Sequence, residues 1–374
     1  MDSVPSKLIQ INIPTLLDKS FFTSYVDQEF IRIFCKRKGR GNLAKTFILP
    51  RNIFVDTEFV EAIAMYIGDG KLSQDKNHLD FTSKDMDMIR FMLCFFRNRL
   101  NLKLDNIRFT LIFKKFSSSS LDNWSSFLGI PEEKINLKQS NRHKEDCFGM
   151  QISGLILRKI FEELVNVVCR LDFFNYPELR KAFLRGLFAA EGSVNIVKKE
   201  NYIAYIGFHL SYLKEEKLAK LVQSLLKLEG ILSKQFLRKD KGERYIQITN
   251  WSNYYKLWKM KIFDLNMRKK NVFMNKIRKT NFFYDVKKEF VVKLLNTNGI
   301  SNRQLGYKLG ICPSTLCNLS NNKTSYINGK DLLNLAAFHW TPIDELKENI
   351  IGIRVHRSTV LEDCNFVDVA LLRI

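Results

Sequence analysis

Two short apolar stretches share one pattern: helical spacing, small residues on one side, and an acid followed by glycine at the end. One runs Ala62-Ile63-Ala64-Met65-Tyr66-Ile67-Gly68-Asp69-Gly70, the other Phe183-Leu184-Arg185-Gly186-Leu187-Phe188-Ala189-Ala190-Glu191-Gly192. In each, one small residue stands four positions before another: Ala64 and Gly68, then Gly186 and Ala190. Positions i and i+4 share a helix face. Two such faces pack backbone to backbone, because little side chain holds the axes apart. Asp69 and Glu191 then emerge side by side at the end of a helix pair.

The pattern predicts matching elements after each stretch. The first helix spans Thr57 to Asp69, with Thr57 as its cap and Glu58 and Glu61 in its first turn. A strand at His78–Thr82 follows, then a helix from Asp85 to Leu100 whose Met88, Ile89, Met92, Leu93 and Phe96 keep a helical period. In Arg108-Phe109-Thr110-Leu111-Ile112-Phe113-Lys114, Phe109, Leu111 and Phe113 face a core while Arg108, Thr110 and Lys114 face away. Leu121–Leu128 reads as a helix after a serine loop, Cys147–Ser153 as a strand, and a helix runs on to Cys169. After the second stretch, introduced by Tyr176-Pro177-Glu178, come a strand at Tyr202–Ser211 and an amphipathic helix at Lys214–Leu228. A hairpin, Lys234–Arg238 and Arg244–Thr249, turns through Asp240-Lys241-Gly242, and a helix follows at Asn253–Phe263. This is an internal duplication of about 110 to 120 residues, too long for a solenoid repeat.

The paired acids are chemically awkward. A helix C-terminus carries partial negative charge, and two carboxylates there also repel. A divalent cation with oxygen ligands, Mg²⁺ or Mn²⁺, removes both objections. The plain alternative is two core helices that each end in a polar residue. The seven cysteines form no CxxC pair and the five histidines no ligand spacing, so a disulfide framework and a zinc site are not expected. A net charge of +21 with a pI near 9.6 points to a polyanionic partner, most simply nucleic acid. No run of about twenty apolar residues is present to span a bilayer. The N-terminus lacks signal-peptide order, so a cytoplasmic, membrane-free protein is expected.

Both stretches resemble the LAGLIDADG motif of homing endonucleases, Gly186–Gly192 most closely, and the resemblance extends over roughly residues 48 to 280. The first copy departs at its start, with Ala62 for the first leucine and Ile63-Ala64 for Ala-Gly. Ile67 and Ala189 stand where an inner acid is common. The resemblance, to the two-motif type, implies a monomer with a duplicated α/β (α+β) fold and pseudo-twofold symmetry, whose sheets form a saddle on duplex DNA. It also implies metal-binding roles for Asp69 and Glu191. The family places a catalytic-site lysine in the part of a repeat where Lys269 and Lys270 stand, within a basic stretch read as a helix end plus linker. The first repeat has no evident counterpart. Arg108, Lys114, Arg244 and Gln247 (with Lys239) are the candidate DNA-facing residues of the sheets.

Ser301 to Leu319 fits a helix-turn-helix. Ser301 caps the first helix, Gly306 permits close crossing, Gly310 makes the turn and Ile311 fills the angle. Pro313 opens the second helix, whose Ser314, Thr315 and Asn318 point outward for a DNA major groove. This stretch resembles the repressor-type domain and is expected to be a small all-α unit. The expected segments are therefore 1–56, an N-terminal segment with the basic run Lys36–Arg40; 57–170 and 171–282, the two repeats; 283–348, the helix-turn-helix; and 349–374, a tail. The tail's Thr359–Val367 is faintly similar to the last splicing block of inteins, but cysteine replaces histidine and splicing is not expected. The function so implied is Mg²⁺-assisted double-strand cleavage of a long DNA site. Two alternatives share the scaffold: a non-cleaving regulator of the WhiA type, which tends to lack the acids, and an intron maturase that binds RNA.

Overall fold

The computed structural model describes residues 9–17, 21–35, 46–72, 78–141, 145–197, 202–211, 215–238, 242–279, 282–296, 299–321, 323–354 and 360–361. The basic run Lys36–Arg40, Lys239 with the hairpin turn at 240–241, and the tail other than Val360 and Leu361 after residue 354 lie outside these residues. The chain divides into two compact units. The first comprises Met1–Ser193, Ile206–Ile248 and Leu257–Lys270; the second comprises Val194–Tyr205, Thr249–Lys256 and Asn271–Ile374.

The first unit holds both motif helices, Thr57–Asp69 and Pro177–Glu191. Asp56, not Thr57, caps the first: its carboxylate accepts from Phe59 N–H at 2.9 Å, and Thr57 is the first helical residue. Aspartate and threonine are both good cap residues, and here the helix begins one residue earlier than expected, so the cap falls to Asp56. Arg99 closes over this end, donating to Glu58 at 2.8 Å and to Asp56. Pro177 opens the second motif helix, where its missing N–H costs nothing. Each motif helix runs directly into a strand, because Gly70 and Gly192 take extended backbone while their N–H groups still bond Tyr66 and Phe188 carbonyls.

Strand Gly70–Leu72 heads a five-stranded sheet that continues through His78–Ser83, Cys147–Ser153, Ile107–Phe113 and Ile135–Gln139. All its pairs are antiparallel except the last. The expected alternation holds: Phe109, Leu111 and Phe113 are buried and Arg108 is exposed. Beneath the sheet lie helices Met86–Asn98 and Leu155–Cys169, with Tyr66 and Phe161 rings edge to face at 4.5 Å. Ser118–Leu128 is helical from Ser118, so three of the serines expected in a loop form its first turn.

The second copy repeats the plan: strand Gly192–Val197, then Tyr202–Ser211, Glu243–Ile248 and Ser233–Arg238 in spatial order, with helix Glu216–Leu228 packed on one face. The chain is a mixed α/β protein with the duplicated arrangement expected from its sequence. The N-terminal basic segment also builds strands: Gln10–Asn12 pairs with Asn52–Phe54, and Phe21–Tyr25 and Phe30–Cys35 form a meander with Phe47–Pro50, which the sequence reads as a short strand ended by proline.

The second unit contains the helix-turn-helix stretch as helices Asn302–Leu309 and Pro313–Ser320. Ser301 and Gln304 form a reciprocal capping box, Gly310 is left-handed at φ 67°, and Ile311 is buried. A Cβ on Gly306 would stand 2.8 Å from the Ile311 carbonyl oxygen, so glycine sets the close approach. The unit is not all-α. Phe283–Val286 pairs on one side with Tyr326–Asn328 and on the other with Ile350–Arg354, which pairs with Val360–Leu361. These strands are two to five residues long and the partners of Phe283–Val286 are 40 or more residues away, so no periodicity announces them. Asp285 anchors the sheet internally, accepting from Arg354 at 2.7 Å and Ser325 at 3.0 Å.

Candidate active site at the motif-helix ends

The two motif helices meet through their small residues. A Cβ on Gly68 would lie 2.5 Å from Ala190 Cβ and 3.0 Å from Glu191 Cγ. A Cβ on Gly186 would strike the backbone carbonyl of Glu61. Ala64 is fully buried in the same helix. Opposite the acids, Arg185 donates to Glu61 at 2.5 Å and to the Met260 carbonyl at 3.3 Å, tying the pair together.

This packing brings Asp69 close enough for its charge to act on Glu191. Burial pushes the Glu191 carboxyl up to about 8, with the charges of Asp69 and Glu215 adding to the effect and Lys269 opposing it. Burial also raises Asp69, to about 6, with Lys269 and Arg268 pulling it down and Asp85 pushing it up. Both acids are half-buried. Among the described residues no group of three or more His, Cys, Asp and Glu is gathered into a metal cage. Two carboxylates at adjacent helix ends are instead an open, hard donor set. Mg²⁺ commonly completes such a set with waters and substrate phosphates.

Lys269 is placed at this site, but not as a free cation. It is 7% exposed, and its Nζ donates to the carbonyls of Phe188, Ala189 and Ala190 at 2.9, 2.7 and 2.9 Å. It caps the C-terminus of the second motif helix, where positive charge meets the helix dipole. Burial lowers its pKa to about 8 against the opposing pull of Asp69 and Asp85. Lys270 points elsewhere, paired with Asp264 at 2.9 Å and lying over the Trp258 ring.

Three residues that sequence reasoning passed over complete the clamp. Asn266 is fully buried and caps helix Met267–Lys279 through its Oδ1, which accepts from Lys269 N–H at 3.1 Å. Its amide donates to Asp85 at 2.8 Å and to the Ala189 carbonyl at 3.0 Å. Arg268 holds Asp85 in a fork at 2.7 and 3.1 Å. Burial pushes Asp85 up, yet the Arg268 guanidinium more than offsets it and the carboxyl ends below its usual range. Asn266 directly before a basic helix is a legible cap signal. Its meeting with Asp85, far away in sequence, is not. We expect Lys269→Met to lower unfolding stability by about 2–4 kcal/mol, since three carbonyls lose a charged donor. Lys269→Arg should not restore it, because a planar guanidinium does not converge on three acceptors; urea midpoints check both.

The sheet residues divide. Beside Asp69, Lys71, Asp80, Gln151 and Arg108 stand in register across four strands, with Gln151 donating to Asp80 at 2.8 Å. They line a cleft of about 680 Å³ that reaches Asp69. Lys114 is exposed one residue past its strand. Beside Glu191, Ser193 and His209 are hydrogen-bonded at 2.7 Å, and the His209 ring meets Tyr245 at 4.5 Å. Burial lowers the His209 pKa.

Arg244 corrects the expectation. It is 5% exposed on the same strand face as the fully buried Ile246 and Ile248, so it does not join Gln247 on the open face. Residues three apart on a strand point to opposite sides, which excludes both from one surface. In the second unit, Ser314 is exposed, while Thr315 and Asn318 are half-buried.

Residues 178–259 match the profile of the LAGLIDADG-like domain. No curated protein sequence matches the chain significantly. Among solved structures, mesophilic variants of the homing endonuclease I-DmoI align at 14% identity and TM-score 0.35, over 55% of this chain and 96% of theirs. I-DmoI in complex with DNA and Mn aligns at 14% identity and TM-score 0.34, over 54% and 96%. The N-terminal LAGLIDADG domain of DUF199/WhiA aligns at 16% identity and TM-score 0.29, over 56% and 82%. The family match covers the helix that ends in Glu191, its sheet and its covering helix, so within this mixed α/β chain residues 178–259 are similar to the LAGLIDADG-like domain.

Proposed function

We propose that the chain is a site-specific endonuclease that makes a double-strand break in DNA. The observation that carries this reading is the backbone-close packing of the two motif helices. It seats Asp69 beside Glu191 and drives both carboxyl pKa values upward. Two half-buried like charges, with no hydrogen-bond or ion-pair partner for either among the described residues, are a costly arrangement, and a divalent cation relieves it.

Asp69 and Glu191 are the residues that would hold Mg²⁺ or Mn²⁺. Such a cation, when bound, supplies Lewis-acid polarisation of a scissile phosphate and ionisation of the attacking water. Lys269, with Asn266 and Arg268–Asp85 behind it, fixes the end of the second motif helix and so the position of Glu191. It acts by positioning; Lys270, committed to Asp264, is not assigned a role in the chemistry. Arg108, Lys71 and Lys114 on the first sheet, and Gln247 on the second, supply phosphate and base contacts. The helix-turn-helix segment within 283–348 adds a second DNA-binding unit, and the repeats span 57–170 and 171–282. The +21 charge serves phosphate contacts throughout.

The test is incubation of the purified chain with duplex DNA spanning its uninterrupted insertion locus, with Mg²⁺, read as both-strand cleavage. DNA binding without cleavage under every metal condition overturns the nuclease reading in favour of a regulator.

Cation binding should also be pH-linked. Both acids hold protons in the folded chain to higher pH than in the unfolded one, so metal-free stability falls as pH rises from about 4 towards 8. A cation must displace those protons. The Mg²⁺ or Mn²⁺ concentration that half-stabilises the fold should therefore drop as pH rises from 6 to 8, then level off. Melting temperatures against metal concentration at pH 5.5, 7 and 8.5 check this.

A further inference from the structure

The second unit carries a cavity that cleavage does not use. It measures about 230 Å³, and its walls include Phe283, Thr315, Asn318, Tyr326, Asn328 and Asp331. Phe283 and Tyr326 come from paired strands, with rings edge to face at 5.7 Å. Thr315 and Asn318 come from helix Pro313–Ser320, and Asp331 from the first turn of helix Gly329–Phe338.

The polar groups of this cavity are poorly engaged. Asn328 spends its Oδ1 on Lys330 N–H at 2.9 Å. Asp331 is half-buried, and among the described residues no hydrogen bond or ion pair takes up its carboxylate. Burial raises its pKa, with Lys330 the only charge pulling it back. Among the described residues no lysine or arginine lines the cavity, which does not favour a phosphate. A carboxylate can only accept, and it pairs best with two adjacent N–H donors. Aromatic walls suit a planar ring, and the volume suits a single base rather than a duplex edge.

We propose that this cavity binds a guanine base, with the adjacent ring and exocyclic N–H groups of guanine donating to Asp331. Adenine and cytosine set an acceptor beside their amino group, and uracil and thymine set a carbonyl on each side of their one N–H; each of these meets the carboxylate with repulsion. Thr315 and Asn318, which the helix-turn-helix pattern aims at a groove, here contact the base from the side. The base comes either from an unpaired nucleotide in a nucleic acid or from free guanine nucleotide. The proposal does not depend on the nuclease reading.

The test is calorimetric titration of the full chain with GMP, AMP and methylguanidine. A second arm measures anisotropy with labelled duplexes carrying one unpaired guanine, one unpaired adenine, or none. GMP should bind saturably and at least tenfold more tightly than AMP, and Asp331→Asn should weaken it at least tenfold with an unchanged melting temperature. Asn318→Ala, on another wall, should weaken it as well and serves if Asp331→Asn misfolds. A tenfold gain for the unpaired-guanine duplex over the adenine one identifies nucleic acid as the source; a gain with GMP alone identifies the free nucleotide. Equal affinity for GMP and AMP, methylguanidine binding as tightly as GMP, or variants that bind GMP like wild type would each overturn it.

Discussion

Asp69→Asn and Glu191→Gln should each abolish double-strand cleavage, with rates at least about a thousandfold below wild type, or roughly 4 kcal/mol of lost barrier reduction. Each substitution removes one negative oxygen from the donor set while keeping the side chain's shape. Binding should survive, because the phosphate contacts proposed above fall to sheet residues and not to the acids. The two variants should also be somewhat more stable than wild type without metal at pH 8.5. There the native carboxylates are ionised against their raised pKa values of about 6 and about 8. That pairing of lost activity with gained stability separates a metal-site role from a packing role. A plain core position would lose both. Cleavage kinetics on a supercoiled plasmid carrying the target, scored for nicked and linear product, together with melting temperatures, provide the measurement.

Gly186→Ala should cost about 3 kcal/mol of unfolding stability, a large loss for one methyl group. The added Cβ would collide with the Glu61 backbone carbonyl, which cannot rotate away as a side-chain tip would. The helices must then separate, and with them the two acids. Gly68→Ala should cost a comparable amount, since the obstructing atoms are Ala190 Cβ at 2.5 Å, which is fixed to its backbone, and Glu191 Cγ at 3.0 Å. Because Glu191 is one of them, Gly68→Ala should still depress cleavage beyond its effect on stability. Urea unfolding midpoints for the pair, set beside cleavage rates at a temperature where both variants are folded, separate the two effects.

Much of the site was legible because its logic is local. The i, i+4 small residues, the acid before glycine and the alternation at Arg108–Lys114 follow from helix and strand geometry alone. They mark the helix that ends at Asp69 and the strands Cys147–Ser153 and Tyr202–Ser211 at the bounds the structure has. Strand Gly192–Val197 was not legible, because a glycine, a serine and an asparagine interrupt any apolar alternation. Arg244 was misassigned because a basic residue on a strand was taken for a surface one, although its parity with Ile246 and Ile248 already placed it on the core face. Lys269 stands out in the sequence only through the family resemblance, and its use as a cap on three carbonyls depends on a helix end about eighty residues earlier.

The sequence by itself determined that two acid-tipped helices exist, that their faces are small enough to touch, and that the chain carries a charge suited to DNA. These are properties of neighbours along the chain, where spacing sets direction. The tertiary structure alone decided which groups share the space around the acids. It brought Asp85 to Asn266 and Arg268, gave Lys269 to the second motif helix, and surrounded Asp69 and Glu191 with different sheet residues. It also turned Thr315 and Asn318 toward a cavity shared with Asp331. The reason is physical: a carboxyl pKa depends on burial and on charges a few ångströms away, and neither distance nor burial is written in the order of residues.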